Sequence, residues 1–241
     1  MYCQVAESYL NMTLPPVQVV ATGDRTIEAS FWHARWANNE LGWHEREVNP
    51  LLQAHFHQLD LPAGSRVFVP LCGKTRDIAW LLLQGCNVAG IELSELAVQQ
   101  LFAELGMTPT VTGIGALQRY SAAGLEVFVG DIFALTAEQL GAVDAIYDRA
   151  ALVALPPAMR ERYARQLMAL TGTAPQLLLC FEYEQELMPG PPHSVSLEEV
   201  CQHYNAAYRV KLAHVRSVAG GLKGTIPANE MAWLLLPLPK A

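Results

Sequence analysis

Short apolar segments recur along this chain, and stretches with helical spacing separate most of them. They lie at 66–70, 87–92, 125–130, 143–148, 176–183, 208–217 and 231–236. Their near-continuous apolar character suits strands buried on both faces, which is what a parallel sheet covered by helices requires. Between them, 78–84 has helical periodicity and closes at Gly85, a residue that readily takes the left-handed conformation ending a helix. Ser94 is placed to cap a helix running to Leu105 and Gly106. A further helix at 157–170 opens on proline, and another is expected at 197–204. The apolar positions from Trp43 to Leu59 also recur at helical spacing. No helical stretch separates the last two strands, so they are expected as an antiparallel hairpin at one edge. The pattern predicts one α/β domain: a mostly parallel seven-stranded sheet with an antiparallel edge hairpin and helices on both faces.

Composition narrows the partners. With 51% hydrophobic and 16% charged residues the 241-residue chain can fill one sizeable core. Its formal net charge of −7 gives no counterion-release drive toward a nucleic-acid backbone, so no nucleic acid is expected. No apolar run reaches the ~18–20 residues needed to span a bilayer, so no membrane is expected either. The five cysteines, Cys3, Cys72, Cys86, Cys180 and Cys201, are odd in number and form no CxxC pair. They read as free thiols of a reduced, cytoplasmic protein, without a zinc site. Residues 1–26 have neither the basic flank nor the long apolar core of a secretory signal. They are expected as a poorly ordered extension, with the folded domain at 27–241.

In open α/β sheets ligands bind beyond the carboxyl ends of the strands, where strand order reverses. That directs attention to the first strand, its turn Leu71-Cys72-Gly73-Lys74, and the acid Glu92 that ends the second strand. Glu92 follows Gly73 at close to the ~20-residue interval expected for a carboxylate on ribose hydroxyls. A carboxylate suits that task because it accepts from both vicinal hydroxyls, although a solvent-facing acid at a strand end explains most single examples. A pyrophosphate calls for the three glycines of GxGxxG, and this turn has one. The turn therefore favours S-adenosylmethionine over NAD and leaves an NAD-dependent oxidoreductase as the lesser reading.

A set of motifs carries more. Phe31-Trp-His-Ala-Arg-Trp36, Val69-Pro-Leu-Cys-Gly-Lys74, Gly90-Ile-Glu-Leu-Ser-Glu95, Gly130-Asp-Ile-Phe133, Asp148-Arg-Ala-Ala-Leu-Val153 and Gly190-Pro-Pro192 occur in order. Together they resemble the bacterial thiopurine S-methyltransferases over roughly residues 31 to 236, and residues 1–26 lie outside that likeness. The resemblance implies a Rossmann-like methyltransferase fold with S-adenosylmethionine as methyl donor, no metal and no covalent intermediate. It implies a small-molecule thiol as acceptor, a thiopurine or another aromatic or heterocyclic thiol, and a monomeric enzyme. Carried over by position, it implies cofactor contacts at Trp36, Leu71, Gly73, Glu92 and Arg149, with Asp131 and Ile132 flanking the adenine. Trp32 is implied in a segment closing over the cofactor, and Trp43 at a position facing the acceptor.

Several of these residues also have plainer readings. Trp32 and Trp36 share one helix face, and such pairs are more often core than lid. Arg149, the proposed catalytic cation, could pair with the cofactor carboxylate or attract an anionic substrate, or it could simply be tied to a neighbouring carboxylate. Glu182 and Glu184 end the next strand and are candidate bases for a reaction that hardly needs one. His193 replaces the aromatic residue usual after Gly-Pro-Pro, which bears on acceptor preference. A methyltransferase for halide, thiocyanate, selenite or tellurite, and a silent S-adenosylmethionine-binding regulator, are the competing functions.

Overall fold

The computed structural model describes residues 29–239. The extension expected at 1–26 lies outside them. The strands are β1 (Arg66–Pro70), β2 (Asn87–Glu92), β3 (Thr110–Ile114), β4 (Leu117–Ala122), β5 (Leu125–Val129), β6 (Ala145–Arg149), β7 (Gln176–Glu182), β8 (Tyr208–Ser217) and β9 (Asn229–Pro237). The helices are α1 (Ala29–Ala37), α2 (Pro50–His55), α3 (Arg76–Leu83), α4 (Glu95–Glu104), α5 (Ala137–Leu140), α6 (Pro157–Thr171) and α7 (Leu197–Tyr204). One sheet holds all the strands in the order β3-β4-β5-β2-β1-β6-β7-β9-β8. Its centre, β5-β2-β1-β6-β7, is parallel, and both flanks are antiparallel. The chain runs outward from β1 to β2 and β5, then returns to β6 on the other side of β1. The switch point therefore lies at the carboxyl ends of β1 and β6.

The two-residue side-chain period of the strands divides the core between two faces. Phe68, Ile146, Leu178 and Cys180 face a cluster with Tyr163, Leu167 and Leu170 of α6 and Val200 and Tyr204 of α7. Val67, Val69, Tyr147, Leu177 and Leu179 face the other, with Leu51 and Leu52 of α2, Ile78 and Leu81 of α3, and Val98 and Leu101 of α4. Each such apolar side chain stabilises the fold by about 1.5–3 kcal/mol. This alternation also sends Asp148 toward α6 and its neighbour Arg149 toward the opposite face.

The parallel core, the helices on both faces and the hairpin of β8 and β9 follow the sequence expectation. Two further strands extend the expected seven. β3 and β4 form a second hairpin at the opposite edge, and no apolar run announces it. Thr110, Val111, Thr112 and Gly113 of β3 are all exposed, while β4 buries only Leu117 and Tyr120. Gly115 and Gly124, both at positive φ, mark the two tight turns that bound β4. The segment from Trp43 to Leu59 also differs from expectation. Only Pro50–His55 is α-helical, followed by a 3-10 turn at Phe56–Leu59. The cause is local: Asn49 caps the helix by accepting from Leu51 N at 2.8 Å, and a residue before proline is pushed out of the helical region. Residues 43–49 thus form an irregular strap across the carboxyl ends of the strands. Among the described residues no helix is long and apolar enough to cross a membrane.

Candidate active site

The turn after β1 is built from two close approaches. Leu71 and Gly73 both take positive φ, 45° and 51°, so the backbone turns sharply out of the sheet. Cys72 donates its N–H to Ile91 O at 2.9 Å and tucks its thiol against Gly90. A Cβ at position 90 would lie 2.9 Å from that sulfur, so the glycine of β2 and the cysteine of the β1 turn fit as a pair. At Gly73 the neighbour is the Trp36 ring, whose Cζ2 would sit 3.1 Å from an added Cβ.

Glu92 is brought directly onto this turn. It is 6% exposed, and its carboxylate accepts from Gly73 N and from Ser94 N, both at 2.9 Å. Burial raises its pKa, while the amides of Ser94, Gly73 and Leu93 oppose that rise by favouring the charged form. A carboxylate has about four acceptor positions, so these amides leave acceptor capacity for a ligand hydroxyl. At the end of β5, Asp131 is exposed and accepts from Phe133 N at 2.9 Å, capping a short 3-10 turn that buries Ile132.

The tryptophans gather above the turn. Trp36, 4% exposed, and Trp32 project from α1, and both meet Trp43 edge to face, with ring centroids 5.9 and 5.3 Å apart. Phe31 continues the cluster at 5.1 Å from Trp32. Trp36 is thus a packed side chain, buried against the glycine of the turn.

Arg149 ends β6 on the same side. Its Nη2 lies 2.6 Å from Glu45 Oε1 and donates to Trp43 O at 3.1 Å. Burial works to lower its pKa, and the Glu45 charge overrides it, leaving the guanidinium more firmly protonated. Asp148, fully buried, turns the other way and accepts from Tyr163 OH at 2.7 Å and Leu152 N at 3.2 Å. It thereby fixes the turn that follows, in which Ala150 takes a positive φ of 61°. Burial pushes the Asp148 pKa up to about 6.

Sequence reasoning missed the groups that hold the strap. Asn49 is wholly buried: its N–H donates to Asp77 Oδ1 at 2.8 Å, and its amide to Glu230 Oε1 at 3.1 Å and Glu45 Oε2 at 3.4 Å. Tyr147 OH reaches the other Asp77 oxygen at 2.9 Å, and Arg216 pairs with Glu230. The helical spacing from Trp43 to Leu59 gave no sign of Asn49's partners, which lie 28 and 181 residues away. Glu182 lines a separate cavity of about 540 Å³ with Tyr183 and residues of the loop between β8 and β9. Burial, then the Glu198 charge, raises its pKa. Glu184 begins the loop after β7 as the cap of a short 3-10 turn. His193 is 8% exposed and lies over Gly190, and among the described residues its Nε2 finds no hydrogen-bond partner, so it faces the protein interior. His55 stacks near His214, with centroids 5.2 Å apart. Among the described residues no three His, Cys, Asp or Glu side chains converge to hold a metal ion.

A parallel centre flanked by the antiparallel β7-β9-β8 edge defines a class: the fold is that of the S-adenosylmethionine-dependent methyltransferases. The 1,6-didemethyltoxoflavin-N1-methyltransferase of Burkholderia thailandensis, solved with S-adenosylhomocysteine, superposes with a TM-score of 0.59 at 16% identity over 86% of this chain and 87% of that one. A TehB-like methyltransferase from Corynebacterium glutamicum gives 0.51 at 12% identity over 87% and 98%. Within that class the chain belongs to the thiopurine S-methyltransferase family, whose profile matches residues 27–231. It is 59% identical to the thiopurine S-methyltransferase of Xanthobacter autotrophicus over 210 residues, covering 87% of this chain and 99% of the relative. The Gluconobacter oxydans thiopurine S-methyltransferase is 47% identical over 216 residues, 90% and 98% of the two chains.

Proposed function

We propose that this chain is a thiopurine S-methyltransferase that moves a methyl group from S-adenosylmethionine to the sulfur of thiopurines and related aromatic or heterocyclic thiols. The observation that carries the reading is the contact of the Glu92 carboxylate with the Gly73 turn, beneath the tryptophans and beside Arg149. The donor set matches the cofactor's chemistry: a carboxylate for a ribose diol, Asp131 and buried Ile132 for an adenine edge and face, and a guanidinium for a carboxylate. Leu71 and Gly73 shape the backbone of the same turn.

When bound, the cofactor supplies a methyl group on a positively charged sulfur, open to in-line displacement by a thiolate. Trp32, Trp36 and Trp43 keep water away from the reacting sulfurs, and indole faces favour a neighbouring cation. Trp43 faces the acceptor. Arg149 fixes an anionic group, so the protein chiefly holds the reactants ~3–3.5 Å apart and aligned. An aromatic thiol is acidic enough that Glu182 and Glu184 need not act as bases. The enzyme domain is proposed as 27–241, acting as a cytoplasmic monomer without metal, membrane or nucleic acid.

Steady-state rates with 6-mercaptopurine against iodide and selenite test the proposal. Turnover of the thiol should dominate. Faster methylation of the inorganic anions would hand the function to the competing small-anion reading.

A further inference from the structure

The cation beside the proposed cofactor site already has a partner. Glu45, on the strap, sets one carboxylate oxygen 2.6 Å from Arg149 Nη2. That same nitrogen holds Trp43 O, and among the described residues Arg149 Nη1 and Nε take no hydrogen-bond partner. The Arg149 side chain is 11% exposed and that of Glu45 40%, so the pair lies at the rim, open to an incoming ligand from the Glu45 side. A ligand carboxylate arriving there meets a guanidinium whose charge is largely neutralised. It must either crowd a second anion against Glu45 or displace it.

Displacement leaves the strap attached. Asn49, four residues on, stays anchored through Asp77 and Glu230 by groups that do not involve Arg149. Release of Glu45 thus removes one tie of the strap, while the Trp43 ring stays packed on Trp32 and Trp36 and the α2 end remains fixed.

We infer that Glu45 is a specificity-determining residue: an internal carboxylate that competes with the ligand's own carboxylate for Arg149. The inference rests on the proposed reading that S-adenosylmethionine binds beside Arg149. By the same competition, Glu45 lowers the site's attraction for small inorganic anions, which lack the apolar surface a thiopurine offers the tryptophans.

Glu45→Gln keeps the side-chain length and an oxygen for Asn49 but removes the charge. Calorimetry on wild type and variant would use S-adenosylhomocysteine and its decarboxylated analogue, with melting curves to show that both proteins fold. The variant should bind S-adenosylhomocysteine about fivefold more tightly, a partly exposed ion pair's worth, and bind the decarboxylated analogue as wild type does. Unchanged or weaker binding of S-adenosylhomocysteine by a folded variant overturns the role of Glu45 and leaves the cofactor assignment standing. An equal gain for both ligands overturns it too, because the effect would not pass through the carboxylate. Failure of wild type to bind either ligand overturns the cofactor reading and this inference with it.

Discussion

Glu92 satisfies two backbone amides with a carboxylate that burial pushes toward its neutral form. Removing it leaves both amides in a dry place without an acceptor, and each such loss costs about 1–3 kcal/mol. Glu92→Ala should therefore lower unfolding free energy by about 2–6 kcal/mol and weaken S-adenosylhomocysteine binding by more than about tenfold. Calorimetry showing unchanged affinity would remove Glu92 from the site. Asp148 makes a pH-dependent contribution. Its folded pKa near 6 stands above the unfolded value, so folding takes up a proton between about pH 4 and 6. The stability this group contributes is complete below about pH 4 and is lost as pH rises through about 6, a change of about 3 kcal/mol. Glu92, also raised, acts with the same sign. Denaturant unfolding at several pH values should show that slope in wild type and a flatter one in Asp148→Asn; equal slopes would mean that Asp148 does not titrate there.

The strap from Trp43 to Asn49 is the element that joins these residues. It has no regular hydrogen bonding of its own, and side chains on α3, β6 and β9 hold it in place. Trp43 packs on Trp32 and Trp36 while its carbonyl holds Arg149, so its ring and its backbone serve different neighbours. Trp43→Ala deletes only the ring. It should raise the KM for the thiol several-fold and change S-adenosylhomocysteine affinity by less than about twofold, read from steady-state kinetics and calorimetry. Equal effects on both would mean that the ring serves as a general cover. The helical periodicity of this stretch was visible in the sequence, yet only one short helix forms, because Asn49-Pro50 starts it and Asp60 ends the following 3-10 turn at positive φ. The β3–β4 hairpin was hidden for the opposite reason: an exposed edge buries too little apolar surface to leave a run.

At the scale of the whole molecule, a ligand that binds only the folded state stabilises all of it. S-adenosylhomocysteine at 100 times its Kd should add about 2.7 kcal/mol, which for a domain of this size is a melting-temperature rise of about 5–10 °C. NAD at the same concentration should give none. A rise with NAD alone would reverse the cofactor assignment.

The sequence by itself determined the sheet's parallel centre and its helical layers, and it singled out the β1 turn and Glu92 as the candidate site. The layers follow from side-chain periodicity, which acts over short stretches of chain, whereas the point at which strand order reverses is fixed only by how distant strands pair. The motifs Val69-Pro-Leu-Cys-Gly-Lys74 and Gly90-Ile-Glu-Leu-Ser-Glu95 marked the same site, though the reason Cys72 and Gly90 occur together appears only when their strands lie side by side. Tertiary structure alone decided that Arg149 pairs with Glu45 and that Asn49 reaches Asp77 and Glu230. These partners lie far apart in the chain, and a charge carries no periodicity that reveals which distant charge it will meet. Their meeting is set by how the strap crosses the sheet.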